Sequence, residues 1–328
     1  MLKAAFSTVL MSAACNLAAA QSYPVKPIRL IFPLNPGSSS NDILGRALAQ
    51  RLSDALGQSL VADYRPGAAG ALGAGIAAKS APDGYTLLIG YTSSIMISPT
   101  LLASGGGGGM GFNPVTDLAP ISRFAVVPYI AVVHPSVPAT DLASLVALAK
   151  RRPGQLNFAS AGTGGLPHLA AELFKLSTGI DIVHVPYRSA ATAHTDLLGG
   201  HVQMEFTGIS GVAPSIKAGR LRALAVTTAR RSALLPDVVT AGEAGFPALD
   251  VSSSLGLLAP ANTPSPVVRR LHDEIANIVN SADMKSFILR QGAEPALMDP
   301  AGFDAHIKAE ISKWARVIKA TGVKPNRK

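Results

Sequence analysis

Cysteine is nearly missing from this chain: its 328 residues hold one, Cys15, and that one lies within the first twenty. Beyond it there is no thiol, hence no disulfide and no thiolate metal site, so stability has to come from a buried core. Aromatic residues make up only 5%, and the Lys and Arg behind the net charge of +9 are scattered singly. Nucleic-acid binding needs a basic stripe or a stacking platform, and neither is there; the charge serves solubility and a mild attraction for small anions. Metal motifs are lacking too, since the seven histidines include no H-E-x-x-H and no closely spaced pair. No cofactor fingerprint appears either: the Gly105–Gly109 run lacks the Lys-Ser/Thr that completes a phosphate loop. A nucleophile elbow is missing as well. In Gly208-Ile209-Ser210-Gly211 the second glycine comes one residue early, so a triad assembled from Ser160, His168 and Asp181 has no motif behind it.

What is present begins with an export signal over residues 1–20. Lys3 supplies the positive start, Ala4–Met11 the apolar core, and Ala18-Ala19-Ala20 a cleavage pattern before Gln21. The apolar core is too short to span a bilayer, and no later stretch is long and apolar enough. A lipid anchor on Cys15 is the alternative, but Ser12 stands where such a site wants leucine. The expectation is a soluble, periplasmic protein.

The rest is organised around Ile28–Leu52. Ile28–Phe32 has the length and β-branched character of a buried strand. Pro33, Pro36 and Gly37 then forbid regular structure, and Ile43, Leu44, Ala47, Leu48 and Leu52 recur at helical spacing, with Ser40 or Asn41 as N-cap and Asp42 in the first turn. A strand that empties through a small, hydroxyl-rich loop into a helix start aims free N–H groups and the positive dipole end at one spot, which favours an anion. Taken alone, this is equally an ordinary connection with nothing bound. The plan recurs, however, at Gln155–Leu176: a strand at Leu156–Ala159, the loop Ser160-Ala161-Gly162-Thr163-Gly164-Gly165, and a helix from about Pro167. Two such loops, one in each half, point to two lobes closing on one anionic guest.

The remaining chain alternates strand and helix. Strands are expected at Leu60–Tyr64, Tyr85–Gly90, Ile182–Val185, Val202–Phe206 and Leu221–Thr227, and helices at Ala71–Lys79, Asp141–Lys150, from about Ser189 to Leu198, at Pro266–Val279 and at Pro300–Thr321. Ile121–His134 and Val251–Leu258 are the candidate crossings between two α/β domains. The loops that gather at the strand ends are free of Asp and Glu, apart from Asp42 at the helix start. They offer hydroxyls, amides, N–H groups and Arg188, a set that suits a carboxylate and suits a cation poorly. His168, at a helix start, is either bonded to backbone or a ligand contact; Arg188 is either a surface residue or a contact. His184 reads as core or edge, and His194, His201, His272 and His306 as surface residues.

Several blocks, in order from Tyr23 almost to the end, resemble the extracytoplasmic solute-binding proteins of tripartite tricarboxylate transporters, first described as Bordetella uptake gene products. They include YPVKPIRLIFPLNPG, YRPGAAG, KSAPDGYTLLIG, QLNFASAGTGGLPHLAAELF, DIVHVPYRSAATAHTDLLGGHVQ and LGLLAPANTPSPVV. The resemblance implies a two-domain, hinge-closing periplasmic binding protein fold of type II, the Venus flytrap, with two crossover strands, no catalysis, no cofactor and no metal. Domain 1 is then 21–124 with 252–328, and domain 2 is 125–251. The implied ligand contacts are Leu34, Asn35, Pro36, Gly37, Ser38, Ser39, Ser40 and Asn41 in the first loop. Tyr91, Thr92 and Ser93 follow, then Ser160, Ala161, Gly162, Thr163, Gly164, Gly165 and His168, with Arg188 and Thr207. The implied guest is a di- or tricarboxylate or an aromatic acid, delivered by a monomer to membrane permease subunits. A ligand-loaded partner for a sensor, or a periplasmic hydrolase, are the alternatives.

Three departures from the family pattern bear on the guest. The first loop is one residue longer and richer in hydroxyls. Pro186-Tyr187-Arg188-Ser189 replaces the usual Pro-Tyr-Lys-Gly, and a guanidinium takes a second carboxylate in a fork that lysine does not match. Thr207-Gly208 stands where Asp-Asn is common, which argues against an amino-acid guest.

Overall fold

The computed structural model describes residues 23–37, 39–104 and 111–325. The expected export signal, Ser38 and the Gly105–Gly109 run lie outside the described residues.

Strand β1 (Ile28–Phe32) sends Ile28, Leu30 and Phe32 into one core and Ile31 into the opposite one, as its two-residue period requires. It pairs in parallel with β2 (Leu60–Tyr64) and β3 (Thr86–Tyr91). Helix α1 (Ser40–Leu56) connects β1 to β2, buries Leu44, Leu48 and Leu52 along one face, and ends on Gly57 in the left-handed conformation. Its N-cap is Ser39, one residue ahead of the expected Ser40 or Asn41. Helix α2 (Ala71–Ala78) is nearly all Ala and Gly, and packs closely on the sheet.

Strand β4 (Leu118–Val133) joins the two halves. From Leu118 to Pro128 it runs antiparallel to β9 (Ser252–Pro260); from Tyr129 to Val133 its neighbours become β7 (Met204–Gly208) and β8 (Arg222–Val226). Pro128, paired with Ser252, brings no N–H, so the ladder thins where β4 changes partners. β9 crosses back at the same place: the Val251 amide still donates to Thr227 of the second half, while Ser252 already pairs in the first. The second half adds the parallel strands β5 (Asn157–Ser160) and β6 (Val183–Pro186). The sheet order is β2-β1-β3-β9-β4-β7-β5-β6, with β8 and β10 (Glu294–Met298) also on β4. The chain is thus a mixed α/β fold of two lobes with two crossing strands.

After β3 the chain coils through a π-helical turn, Thr92–Ile97, into α3 (Ser98–Ser104). The second lobe carries α4 (Leu142–Arg151), α5 (Leu166–Thr178), α6 (Ala190–Leu198) and α7 (Ile209–Lys217). The chain closes with α8 (Ser265–Asn280), α9 (Ala282–Arg290) and α10 (Pro300–Thr321). Helices α3, α7 and α9 and strand β10 have no counterpart in the sequence-based expectation; α7 holds Pro214, which masks its period. One apolar core passes through both lobes, with Ile31, Met96 and Leu101 from the first, Phe158, Phe174 and Phe206 from the second, and Trp314 of α10 sealing it. Full burial of one such side chain is worth about 1.5–3 kcal/mol.

Candidate ligand-binding site

Register alone brings the strand ends together. β1 and β3 run in parallel and finish at Phe32 and Tyr91; Tyr91 lies opposite Leu255 of β9, three residues from the crossing at Ser252. In the second lobe β5, β6 and β7 also run in parallel, and Gly208 at the end of β7 lies opposite Tyr129, next to Pro128. All these carboxyl ends therefore point at the junction between lobes, where ligands bind in open α/β sheets.

The first loop is built around Asp42. Its carboxylate is fully buried and accepts from the Gly37 amide (2.7 Å), the Tyr64 hydroxyl (2.8 Å) and Arg46 Nε (3.1 Å). Burial first, then the Asp42 bond, pushes the Tyr64 phenol up to about 12, so it stays a donor. Leu34 is buried, while Asn35, Pro36, Gly37 and Ser39 are exposed and Ser40 and Asn41 half-buried. Asp42 thus acts from beneath and adds no exposed negative charge to the loop. The neighbouring β3 exit is tied to it, since the Tyr91 hydroxyl donates to the Pro33 carbonyl at 3.0 Å. Thr92 is buried, donating from Oγ1 to Ser252 O (3.3 Å) and accepting from Ser254 N (2.9 Å), and Ser93 is half-exposed.

The second loop rests on imidazoles. Ser160 is fully buried; its Oγ accepts from the Gly162 amide (3.2 Å) and lies 2.6 Å from His184 Nε2. His168 is 4% exposed and its Nδ1 accepts the Gly164 amide at 2.9 Å, so the ring sits under the loop. Ala161 is exposed and Gly162, Thr163 and Gly165 half-exposed. Helix α5 starts at Leu166 with Pro167 in its first turn and Gly165 as N-cap, and that cap offers no side chain to its orphan amides. Ser160 is fully buried, and His168 Nδ1 already accepts the Gly164 amide, so that nitrogen is not free to take the Ser160 proton.

The two lobes touch on both flanks of the junction. Ser40 Oγ of α1 and Ser210 Oγ of α7 are 2.7 Å apart; beside them, within the first lobe, Asn41 Nδ2 donates to Ser253 Oγ of β9 at 3.4 Å. On the other flank Gly164, at φ +79°, lies so close to α3 that an added Cβ would stand 2.1 Å from Leu101 Cδ2. Thr207 is half-buried at the end of β7. Arg188 is exposed on the loop after β6, the outermost strand of its lobe, and that loop adjoins the second one through the Tyr187 amide bond to Ser160 O (2.9 Å). Ser210 and Ser253 are cleft residues that sequence reasoning missed. The run Ser252-Ser253-Ser254, a second hydroxyl cluster beside an apolar strand, was the available signal.

Three histidines expected at the surface turn inward. His194 Nδ1 is 3.8 Å from the buried Glu205, His272 Nδ1 is 3.1 Å from Ser122 Oγ, and His306 Nε2 is 2.7 Å from Ser254 Oγ. Helical periodicity placed them on polar faces, but neighbouring elements cover those faces. Among the described residues, no group of three His, Cys, Asp or Glu side chains could hold a metal ion, and no helix is long and apolar enough to cross a membrane.

Comparison with known proteins agrees with this geometry. The profile of the tripartite tricarboxylate transporter family receptor matches residues 44–323. Protein BugT of Bordetella pertussis is 36% identical over 306 residues, covering 93% of this chain and 92% of that protein. Among solved structures, R. palustris Rpa4515 with adipate superposes with a TM-score of 0.80 at 34% identity, covering 93% of this chain and 100% of that one. MatC (Rpa3494) from Rhodopseudomonas palustris with bound malate superposes with a TM-score of 0.75 at 26% identity, covering 90% and 100%. The chain belongs to the tripartite tricarboxylate transporter receptor family, whose members are solute-binding receptors with the periplasmic binding protein fold.

Proposed function

We propose that, as a receptor of this family, the protein captures an organic di- or tricarboxylate or an aromatic acid between its lobes and delivers it to the membrane permease subunits of a tripartite tricarboxylate-type transporter. In this reading residues 1–20 are a cleaved export signal and the mature chain works in the periplasm as a monomer. Its domains are 21–124 with 252–328, and 125–251.

One observation carries the reading. The segments at and just after the carboxyl ends of β1, β3, β5, β6 and β7, at 33–41, 91–94, 160–165, 187–189 and 207–208, include no Asp or Glu. Oriented N–H groups and hydroxyls without a competing carboxylate favour a negative guest. Ser38–Asn41 and Ala161–Gly165 grip one carboxylate between them, Tyr91, Ser93 and Thr207 complete the wall, and Arg188 takes a second carboxylate when the lobes close. The guest then acts by population shift, because it bridges both loops only in the closed form. Adipate and malate in two solved relatives support the ligand class.

Titration calorimetry of the purified protein against aliphatic di- and tricarboxylates, aromatic acids, sugars and amino acids tests the proposal. Binding confined to acids is expected. A response to sugars or amino acids, with silence from every carboxylate, overturns it.

A further inference from the structure

Two imidazoles under the second loop are not accounted for by direct contact with a guest. His168 on α5 and His184 on β6 stack face to face, with centroids 3.8 Å apart and planes 15° from parallel. Phe158 of β5 continues the stack on His184 at 4.9 Å. Both rings hold backbone of the loop. His168 Nδ1 accepts the Gly164 amide at 2.9 Å, and His184 Nε2 meets, at 2.6 Å, the Ser160 hydroxyl that itself accepts the Gly162 amide.

The first of these bonds settles a proton. A ring nitrogen that accepts from an N–H carries no hydrogen, so His168 is neutral with its proton on Nε2. That N–H faces Glu172 Oε1 at 3.8 Å. Glu172 in turn accepts Lys175 Nζ at 2.9 Å. Glu172 and Lys175, both on α5, are the charged groups that face the stack. Strands β5 and β6 and the Thr92–Ile97 turn contain no Asp, Glu, Lys or Arg, and α10 meets this core with Trp314, Val317 and Ile318. Burial is the leading cause that holds His168 down at about 3 and His184 at about 4.

We propose that His168 and His184 are positioning residues of the ligand site: stacked and neutral, they fasten the Gly164 amide and, through Ser160, the Gly162 amide, and so leave the intervening Thr163 amide aimed at the cleft. This rests on the reading of that cleft as a carboxylate site. The loop is glycine-rich, with Gly162 at φ +119° and Gly164 at φ +79°. Such a segment has much backbone freedom to lose on binding. Two fixed amides remove that loss beforehand, which is how a prearranged site gains affinity.

The test uses the mature chain as wild type, His168→Asn, whose carbonyl keeps an acceptor near the position of Nδ1, and His168→Phe, which keeps the stacked ring without an acceptor. Long-range nitrogen–proton spectra should find the His168 proton on Nε2, unchanged from about pH 8 to about pH 5. Hydrogen exchange at the Gly164 amide should quicken roughly ten-fold or more in His168→Phe and stay near wild type in His168→Asn. Adipate, as the probe, should bind His168→Phe roughly ten-fold more weakly and His168→Asn less so. Gly164 exchange unchanged in His168→Phe, titration of His168 between about pH 8 and about pH 5, or undiminished adipate binding despite faster exchange would each overturn the proposal. If wild type ignores adipate and every other carboxylate while tautomer and exchange behave as stated, the scaffold stands and the carboxylate reading is what fails. Should His168→Phe not fold, the wild-type tautomer and the His168→Asn exchange decide.

Discussion

Gly164→Ala gives the sharpest test of how the lobes meet. The change has two costs that separate cleanly. Gly164 sits at φ +79°, where a side chain costs about 1–2 kcal/mol whatever the lobes do. The new Cβ would also lie 2.1 Å from Leu101 Cδ2 and 3.5 Å from its Cγ. Carbon atoms rest about 3.5–4.0 Å apart, so either the leucine withdraws or the lobes part. Leu101 belongs to α3 of the first lobe and Gly164 to the second, so this steric cost falls on the arrangement in which the lobes touch as they do here. Overpacking of this size costs about 1–3 kcal/mol, which weakens a guest that needs the closed form by roughly 5- to 150-fold. Leu101→Ala removes the obstructing atoms. The double variant should therefore bind like Leu101→Ala alone while keeping the stability loss of Gly164→Ala. Calorimetry with an acid that binds wild type gives the affinities, denaturant unfolding the stabilities, and small-angle scattering should show the single variant expanded with ligand present. If Gly164→Ala binds as wild type, or Leu101→Ala fails to rescue it, the contact does not govern closure.

Asp42→Asn puts an amide where three donors converge, and should cost about 2–3 kcal/mol in urea unfolding while loosening the first loop; a loss under ~0.5 kcal/mol would mean that Asp42 does not hold it. Ser40→Ala and Ser210→Ala should each open the ligand-free protein by about 0.5–1.5 kcal/mol and together by no more than either alone, since they share one bond; additive effects would remove that bond from the account. For acid stability the sign follows from His168. Its folded value is about 3 against 6.5 for an ordinary histidine, so below pH 6.5 the unfolded chain takes up a proton that the folded one refuses. Stability from this group is whole above pH 6.5 and falls by about 1.4 kcal/mol per pH unit until about pH 3. Unfolding midpoints of His168→Asn should lack that share of the slope. Equal slopes in variant and wild type would contradict the buried, neutral ring.

Much of the architecture was readable from local pattern. Ile28–Phe32, Leu60–Tyr64 and Pro300–Thr321 carry apolar residues at the period of the element they form, and all three appear with the expected bounds. Both glycine- and serine-rich loops were visible for the same reason, because turn chemistry is written in adjacent residues. What lay beyond reach depends on residues far apart in the chain. The Ser40–Ser210 bond spans 170 positions, and the His168–His184 stack exists only because β5 and β6 pair as neighbours. Nothing in the composition around His168 distinguishes a ring that faces a guest from one that props a loop. The coil after β3 was hidden because Thr92–Ile97 has no period of its own; its first turn closes through a bond from Tyr91 N to Ser94 Oγ at 3.0 Å.

The proline in the shared strand has a mechanical meaning. At Pro128 the sheet lacks one cross-link at the very position where β4 exchanges β9 for β7. Torque applied by a guest is therefore released along a single crease, as in a folded card, and neither panel needs to buckle. The crease is made of strand residues and not of the loops, so replacing the loops leaves it untouched.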